Sequence, residues 1–307
     1  MIKLKYYNQL NEYYKDKFGQ RVLKICVDGG FTCPNRDGSK GVGGCIFCSA
    51  MGSGEHIKHK DVTQQVLNHL DSYRGERAEK FIVYFQNFSN TYADIDTLKR
   101  VYDSALVSEK IVGISIATRP DCITPDIVDL LKSYQDKYFV MVELGLQTAD
   151  ERIASTLNLG YTIEDYKNAV ILLKGAGIEV VTHIILGLPN ETKESITKTA
   201  ELINSLGVDG VKIHNLYVVK GTIMEQMYID GKVKDMTLDE YLEKLEYLLT
   251  LLKPNIIIHR ISGDAPKDKL VSPEWNTHKK YVLNGIIKRM KQNGTYQGKL
   301  YNGNIIE

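Results

Sequence analysis

Six short apolar runs, at 21–27, 81–85, 111–117, 139–146, 178–186 and 210–219, punctuate the first 220 residues of the chain. Most are nearly continuous in apolar residues, which suits strands covered on both faces. Stretches with helical spacing lie between them. In 61–74, Val62, Val66, Leu67 and Leu70 fall on one side; in 162–175, Ile163, Tyr166, Val170 and Leu173 do. Local signals mark helix ends. Thr124 with Pro125 opens a helix at 125–134, Thr162 with Asp165 is a capping pattern, and Gly175 and Gly177 close the helix that follows it. Further helices are expected at about 94–106 and 191–206. Six strand–helix alternations predict a parallel sheet, closed or nearly closed by outer helices. In such barrels the reacting groups sit at the C-terminal ends of the strands.

Beyond 221 the pattern changes. Helices at about 238–252 and 274–290 flank an apolar run at 256–261. The expected division is therefore a barrel at 1–220, preceded by a tyrosine-rich amphipathic stretch, and an extension at 221–307 packed on it, able to cover its mouth.

The loop after the first strand carries Cys33, Cys45 and Cys48, with Asp37, Gly38, Gly41, Gly43 and Gly44 between the first two. Such a segment folds tightly and can bring three sulfurs to one place. Four protein ligands are usual for a structural zinc and for an ordinary iron–sulfur cluster. Three leave two readings: a zinc site completed by a histidine or Cys26, or a [4Fe–4S] cluster with one iron open to a reactant. The other two cysteines read differently: Cys26 as a buried strand residue and Cys122 as an inert thiol at a helix entry.

Composition narrows the class. A chain of 307 residues, 43% hydrophobic and 25% charged, suits one large α/β barrel or two ordinary domains. No apolar run approaches the ~20 residues of a membrane span, and a cytoplasmic enzyme is expected. Five cysteines, three of them clustered, do not resemble a disulfide framework. Net charge is +1, but the ends are locally basic. The first 24 residues carry Lys3, Lys5, Lys15, Lys17, Arg21 and Lys24 against Glu12 and Asp16. Residues 275–306 contain Lys279, Lys280, Lys288, Arg289, Lys291 and Lys299 and no acid. With tyrosines interleaved, these ends suit RNA phosphates and bases; a solvated lysine-rich surface is the plainer reading.

Seven ordered motifs, GFTCPNRDG, YFQNFSNTYAD, ATRPDCI, VELGLQT, HIILGLPNET, VKIHNLYVVKGT and ISGDAP, resemble the YtqA/YhcC-type radical S-adenosylmethionine (SAM) proteins. These belong to the branch that includes the catalytic subunit of elongator. The resemblance covers nearly the whole chain and implies a partial (β/α)6 TIM-like barrel with N- and C-terminal helical extensions. It further implies that Cys33, Cys45 and Cys48 hold a [4Fe–4S] cluster whose open iron binds SAM, the source of a 5′-deoxyadenosyl radical. Phe47 would pack on adenine; Gln86, Asn87, Phe88 and Ser89 align with the loop meeting the methionine amino group; Gln147, His183 and Ile185 align with positions facing SAM. Several relatives have a glutamate where Ala117 stands and an arginine where Leu159 stands. Arg119 or Arg152 is then the candidate to hold the SAM carboxylate.

The same resemblance implies an MnmL-like tRNA modification. The carboxymethyl group of 5-carboxymethylaminomethyl-(2-thio)uridine at the wobble position would be removed, leaving 5-aminomethyl-(2-thio)uridine. The expected partners are a tRNA anticodon stem-loop, held in part by Lys279, Lys280, Lys288, Arg289 and Lys291, and an electron donor such as a flavodoxin or ferredoxin. Neither membrane nor DNA is expected. A radical SAM enzyme acting on a small metabolite is the alternative, and a zinc-stabilised binding module the third reading. His183 is open between a SAM contact and a satisfied core histidine, as His214 and His259 are between substrate-side groups and core.

Overall fold

The computed structural model describes residues 6–50, 52 and 61–301. Lys3 and Lys5 of the basic start, and residues 302–307, lie outside the described residues. Among the described residues nine strands follow in chain order: β1 (Val22–Val27), β2 (Lys80–Phe85), β3 (Ile111–Thr118), β4 (Phe139–Gln147), β5 (Glu179–Leu186), β6 (Gly210–Asn215), β7 (Val218–Val219), β8 (Ile257–Arg260) and β9 (Leu270–Ser272). Seven form one parallel sheet in the order β1-β2-β3-β4-β5-β6-β8, curled into a half-barrel. Sequence neighbours are spatial neighbours throughout, as repeated strand–helix units dictate.

The expected α/β partial barrel is therefore present, with one strand more. The run at 256–261, assigned from sequence to the extension, supplies β8, which pairs parallel with β6. Four residues between two helices carry too little pattern to announce a barrel strand. The expected sixth strand is also divided. It leaves the sheet after Asn215, and β7 pairs antiparallel with β9.

Helices Val62–Leu70, Ile95–Asp103, Pro125–Lys132, Ile163–Gly175, Lys193–Ser205 and Leu238–Leu251 alternate with the strands. Each opens on an Asp or Thr whose side chain accepts from a first-turn backbone N–H: Asp61, Asp94, Thr124, Thr162, Thr192 and Thr237. Such caps contribute about 1 kcal/mol apiece. The inner faces bury Val66, Leu98, Tyr102, Tyr166, Val170, Leu173 and Leu245 in the main core. Leu67, placed on an inner face by spacing, is 37% exposed.

The lower end of the barrel is closed. Helix Leu10–Phe18 lays Tyr14 on Val22, Ile82, Val112 and Phe139, residues at or near the starts of β1 to β4. Lys17 holds Glu179, the first residue of β5, at 2.6 Å, and the Tyr13 hydroxyl donates to the same carboxylate. With that end plugged, the barrel interior opens at the C-terminal ends of the strands.

Candidate active site

The cysteine loop leaves β1 at that open end and is fastened to segment 157–160. Asn35 Nδ2 donates to the Asn158 carbonyl (2.6 Å), Asn158 Nδ2 to the Gly44 carbonyl (2.8 Å), and the Ile46 amide to the Leu157 carbonyl (3.1 Å). Ile46 also sits in a second apolar cluster with Leu157, Leu159, Leu216 and Met224, separate from the main core. Arg36 donates to the Ser49 carbonyl at 2.6 Å. Gly44, at φ +79°, passes so close that a Cβ there would lie 2.9 Å from Arg36 Nε. Glycine is needed at that turn for both reasons.

Cys33, Cys45 and Cys48 line one cavity of about 350 Å³. Arg119 Nη1 stands 3.9 Å from Cys33 Sγ, and Asn35 Nδ2 stands 3.9 Å from Cys45 Sγ. The Cys48 thiol is lowered to about 7, chiefly by its hydrogen bond with Cys45 and with help from Arg36, while burial opposes. The same hydrogen bond, with burial, pushes the Cys45 thiol well up, so Cys48 is the first of the pair to reach the thiolate, the form that binds metal. Among the described residues, no three His, Cys, Asp or Glu side chains are gathered to hold a single metal ion. Three cysteines lining one cavity are the soft donor set an iron–sulfur cluster would take. The three-cysteine set fits the cluster, and the zinc reading lacks its fourth ligand among the described residues.

The remaining cysteines separate. Cys122 is buried, and its thiol is pushed up to about 12 by burial and then by Asp121, which leaves it inert. Cys26 departs from the expectation of a packed strand residue: it points into the barrel and lines the cavity.

Phe47, Gln86, Phe88, Ser89, Gln147 and His183 line the same cavity. Phe47, Gln147 and His183 continue into an adjoining hollow with Ile185. Ser89 is fully buried, and its hydroxyl has no partner among the described residues. Asn87 is turned away, its amide donating to Asp28 at 2.7 Å. Phe88 (φ +59°) and Gln147 (φ +67°) hold left-handed backbones, strain of the kind that collects where a ligand is gripped.

Neither arginine proposed from sequence offers a free guanidinium to the SAM carboxylate. Arg119 lines the cavity but makes a two-point ion pair with Asp121 (2.9 Å each) and donates to the Leu159 and Gly160 carbonyls at 2.6 and 3.1 Å. It fastens the loop instead. Arg152 is paired with Asp150 at 2.8 Å, its side chain 74% exposed. Ala117 lines the cavity and Leu159 is packed in the second apolar cluster.

A polar network inside the barrel escaped the sequence reading. Glu143 on β4, fully buried, receives Lys24 from β1, Ser115 from β3 (2.8 Å), His183 Nε2 from β5 (2.6 Å) and Lys212 from β6 (2.7 Å). Lys212 also donates to the Tyr84 hydroxyl of β2 at 2.8 Å. Burial would raise the Glu143 carboxyl, yet Lys212 and Lys24 hold it well below the usual range. Burial lowers Lys212 to about 8 against the pull of Glu143. Burial, with Lys212 adding, lowers His183 to about 4, so its ring is neutral near pH 7. His214 lies 5.6 Å from it, centroid to centroid. The signal available in sequence was a lone charge in each apolar strand: Lys24, Glu143 and Lys212.

The C-terminal basic segment forms helix Lys279–Asn293 after a short turn at Glu274–Thr277. Lys280, Lys288 and Lys291 are exposed, and Lys279 pairs with Asp264, which lines the cavity. Arg289 departs from the expected role: it donates to Glu246 and Asp239, at 2.8 Å each, and clamps this helix to Leu238–Leu251.

Comparison with known proteins agrees with this geometry. The Radical SAM superfamily model matches residues 33–203, more than half of the chain, and the Radical_SAM C-terminal domain matches 208–292. The protein YtqA of Bacillus subtilis is 40% identical over 302 residues, covering 97% of this chain and 93% of its own. YhcC of Escherichia coli K12 is 36% identical over 261 residues, 84% of each chain. The archaeal Elp3 of Methanocaldococcus infernus shares the fold, with a TM-score of 0.68 over 90% of this chain and 64% of that one at 20% identity.

Two outcomes are expected. Serine at Cys33, Cys45 or Cys48 should abolish iron binding on anaerobic reconstitution, while Cys26→Ser and Cys122→Ser should keep most of it. Equal iron loss in Cys26→Ser would make Cys26 a fourth ligand. Acid should destabilise the cluster-free fold, because below pH 6.5 the unfolded chain gains a proton that folded His183 refuses until about 4. Between pH 7 and 5 His183 alone should cost about 2 kcal/mol, and the loss should shrink in His183→Gln. Urea unfolding at the two pH values measures it, and equal stability would contradict the buried neutral ring.

Proposed function

Because the chain belongs to the radical SAM superfamily, we propose that it acts on tRNA, removing the carboxymethyl group of 5-carboxymethylaminomethyl-(2-thio)uridine at the wobble position. Its cofactors are a [4Fe–4S] cluster and SAM. Together these supply radical abstraction of a hydrogen atom from an unreactive carbon. Cys33, Cys45 and Cys48 hold the cluster. Phe47 covers the adenine, the Gln86–Ser89 loop receives the methionine amino group with the free Ser89 hydroxyl as acceptor, and Gln147, His183 and Ile185 face SAM from β4 and β5. The helix plugging the lower end keeps bulk water from that side.

The observation that carries this reading is one cavity with the cluster cysteines, Glu143, Lys212 and Arg260 in its lining. Cofactor and a polar, charged substrate side chain can share it. The CH2 between amine and carboxylate is a suitable target, since a radical there is stabilised by both groups. Oxidation to the imine and hydrolysis give the balance: carboxymethylamine, SAM and water become amine, glyoxylate, methionine, 5′-deoxyadenosine and a proton. An anticodon loop is single-stranded, so its wobble base can enter the cavity at modest cost. The exposed Lys280, Lys288 and Lys291, with Lys279 beside the mouth, are assigned to the phosphates of the stem-loop. A flavodoxin or ferredoxin is the proposed electron donor.

Nucleoside mass spectrometry of tRNA from a strain lacking the protein tests the substrate. The 5-carboxymethylaminomethyl form should accumulate at the expense of the 5-aminomethyl form. An unchanged profile would contradict the tRNA assignment and return the enzyme to a small-metabolite substrate.

A further inference from the structure

Two cations meet a single carboxylate inside the barrel, and a third lines the same cavity. Lys24 and Lys212 both contact Glu143. Arg260 of β8 is the register partner of Lys212 and lines the same cavity, and among the described residues no carboxylate is in ion-pair contact with it. Asp264, the other acid of the lining among the described residues, is engaged by Lys279. Lys24, Lys212 and Arg260 thus exceed Glu143 by two positive charges, and a cleft lined by an excess of one sign attracts the opposite one. His214, on β6 two residues beyond Lys212, has a buried Nε2 without a partner among the described residues. Such an arrangement is stable toward an incoming anion. A Lys and an Arg from adjacent strands can grip the two oxygens of a carboxylate, and the proposed substrate side chain carries one.

We propose that Lys212 and Arg260 form a seat for the substrate's carboxylate, with Glu143 orienting Lys212. By register Lys212 is level with His183 and Gly145, so the seat lies beside His183 and two residues below the level of Gln147 and Ile185. This deepens the proposed function and rests on it: the carboxylate is that of the carboxymethyl group, and its seating leaves the adjoining CH2 on the mouth side. A carboxylate is also present on SAM, and the two sources are separable. Arg260 and Lys212 are here positioning and specificity residues; Arg260, without a partner to strand, is the one to change.

The experiment uses the cluster-loaded, SAM-bound, unreduced protein, in which no turnover occurs. Anticodon stem-loop RNAs carrying 5-carboxymethylaminomethyluridine or 5-methylaminomethyluridine are titrated by anisotropy, and N-methylglycine by calorimetry. The parent should prefer the carboxylate-bearing RNA by about 10- to 150-fold, the worth of a charge-assisted contact. In Arg260→Gln the preference should vanish while affinity for the methylaminomethyl RNA is kept, and Arg260→Lys should restore part of it. N-methylglycine should bind the parent and lose at least about tenfold in Arg260→Gln. SAM affinity should be equal in both proteins. Arg260-dependent binding of N-methylglycine without any RNA preference would keep the seat and overturn the tRNA reading. An undiminished RNA preference in Arg260→Gln, or no Arg260-dependent binding of either probe, would overturn the seat. A parallel fall in SAM affinity would assign it to SAM and overturn it equally.

Discussion

The Glu143 carboxylate is the constraint around which the barrel interior is arranged. It lies at the centre of a half-barrel whose strands turn Lys24, Ser115, His183 and Lys212 toward it. An isolated buried carboxylate costs several kcal/mol and would ordinarily protonate. Two ammonium groups and two further hydrogen-bonding partners reverse that, and the pull of Lys212 and Lys24 outweighs burial. Four of the seven sheet strands are thereby tied to β4 through side chains as well as through the ladder. The same network leaves the interior polar, so the cavity continues below the strand ends where a packed barrel core would have closed it.

The cysteine loop answers to a different set of contacts. It borrows no strength from the main core but docks on segment 157–160 through Asn35, Asn158 and the Ile46 amide. Its apolar anchor is the separate cluster around Ile46, Leu157 and Met224. Arg119 joins the two regions: it starts from the end of β3, holds two carbonyls of segment 157–160 and reaches Cys33. A rigid polar clamp at this point fixes where the sulfurs stand relative to the strands, which a flexible glycine-rich loop could not do alone.

Much of the fold was legible because strand–helix alternation is written in periodicity. Apolar runs such as 111–117 and 139–146 appear where they were expected, and Thr162 with Asp165 makes the capping box its spacing implied. β8 was not legible, since four residues become a strand only through the edge that β6 offers. Among site residues, the cysteine spacing marked the loop, and the family motifs marked the strand ends. Periodicity assigned Lys24, Glu143 and Lys212 no role because a charge within an apolar strand gains meaning only when its partners on other strands are known. Arg119 and Arg289 show the converse: both looked available for a ligand, and both are engaged by acids nearby in space, one two residues away and one on another helix.

A double-mutant cycle on Glu143 and Lys24, read by equilibrium unfolding, tests the central claim most directly. Glu143→Gln should cost about 3–5 kcal/mol, since it leaves enclosed cations without their counter-charge. Lys24→Met in that background should cost less than in the parent, or stabilise, with a coupling of at least about 1 kcal/mol. Effects that add to within about 0.5 kcal/mol would mean that the two groups act independently, and the barrel would not be organised on this carboxylate.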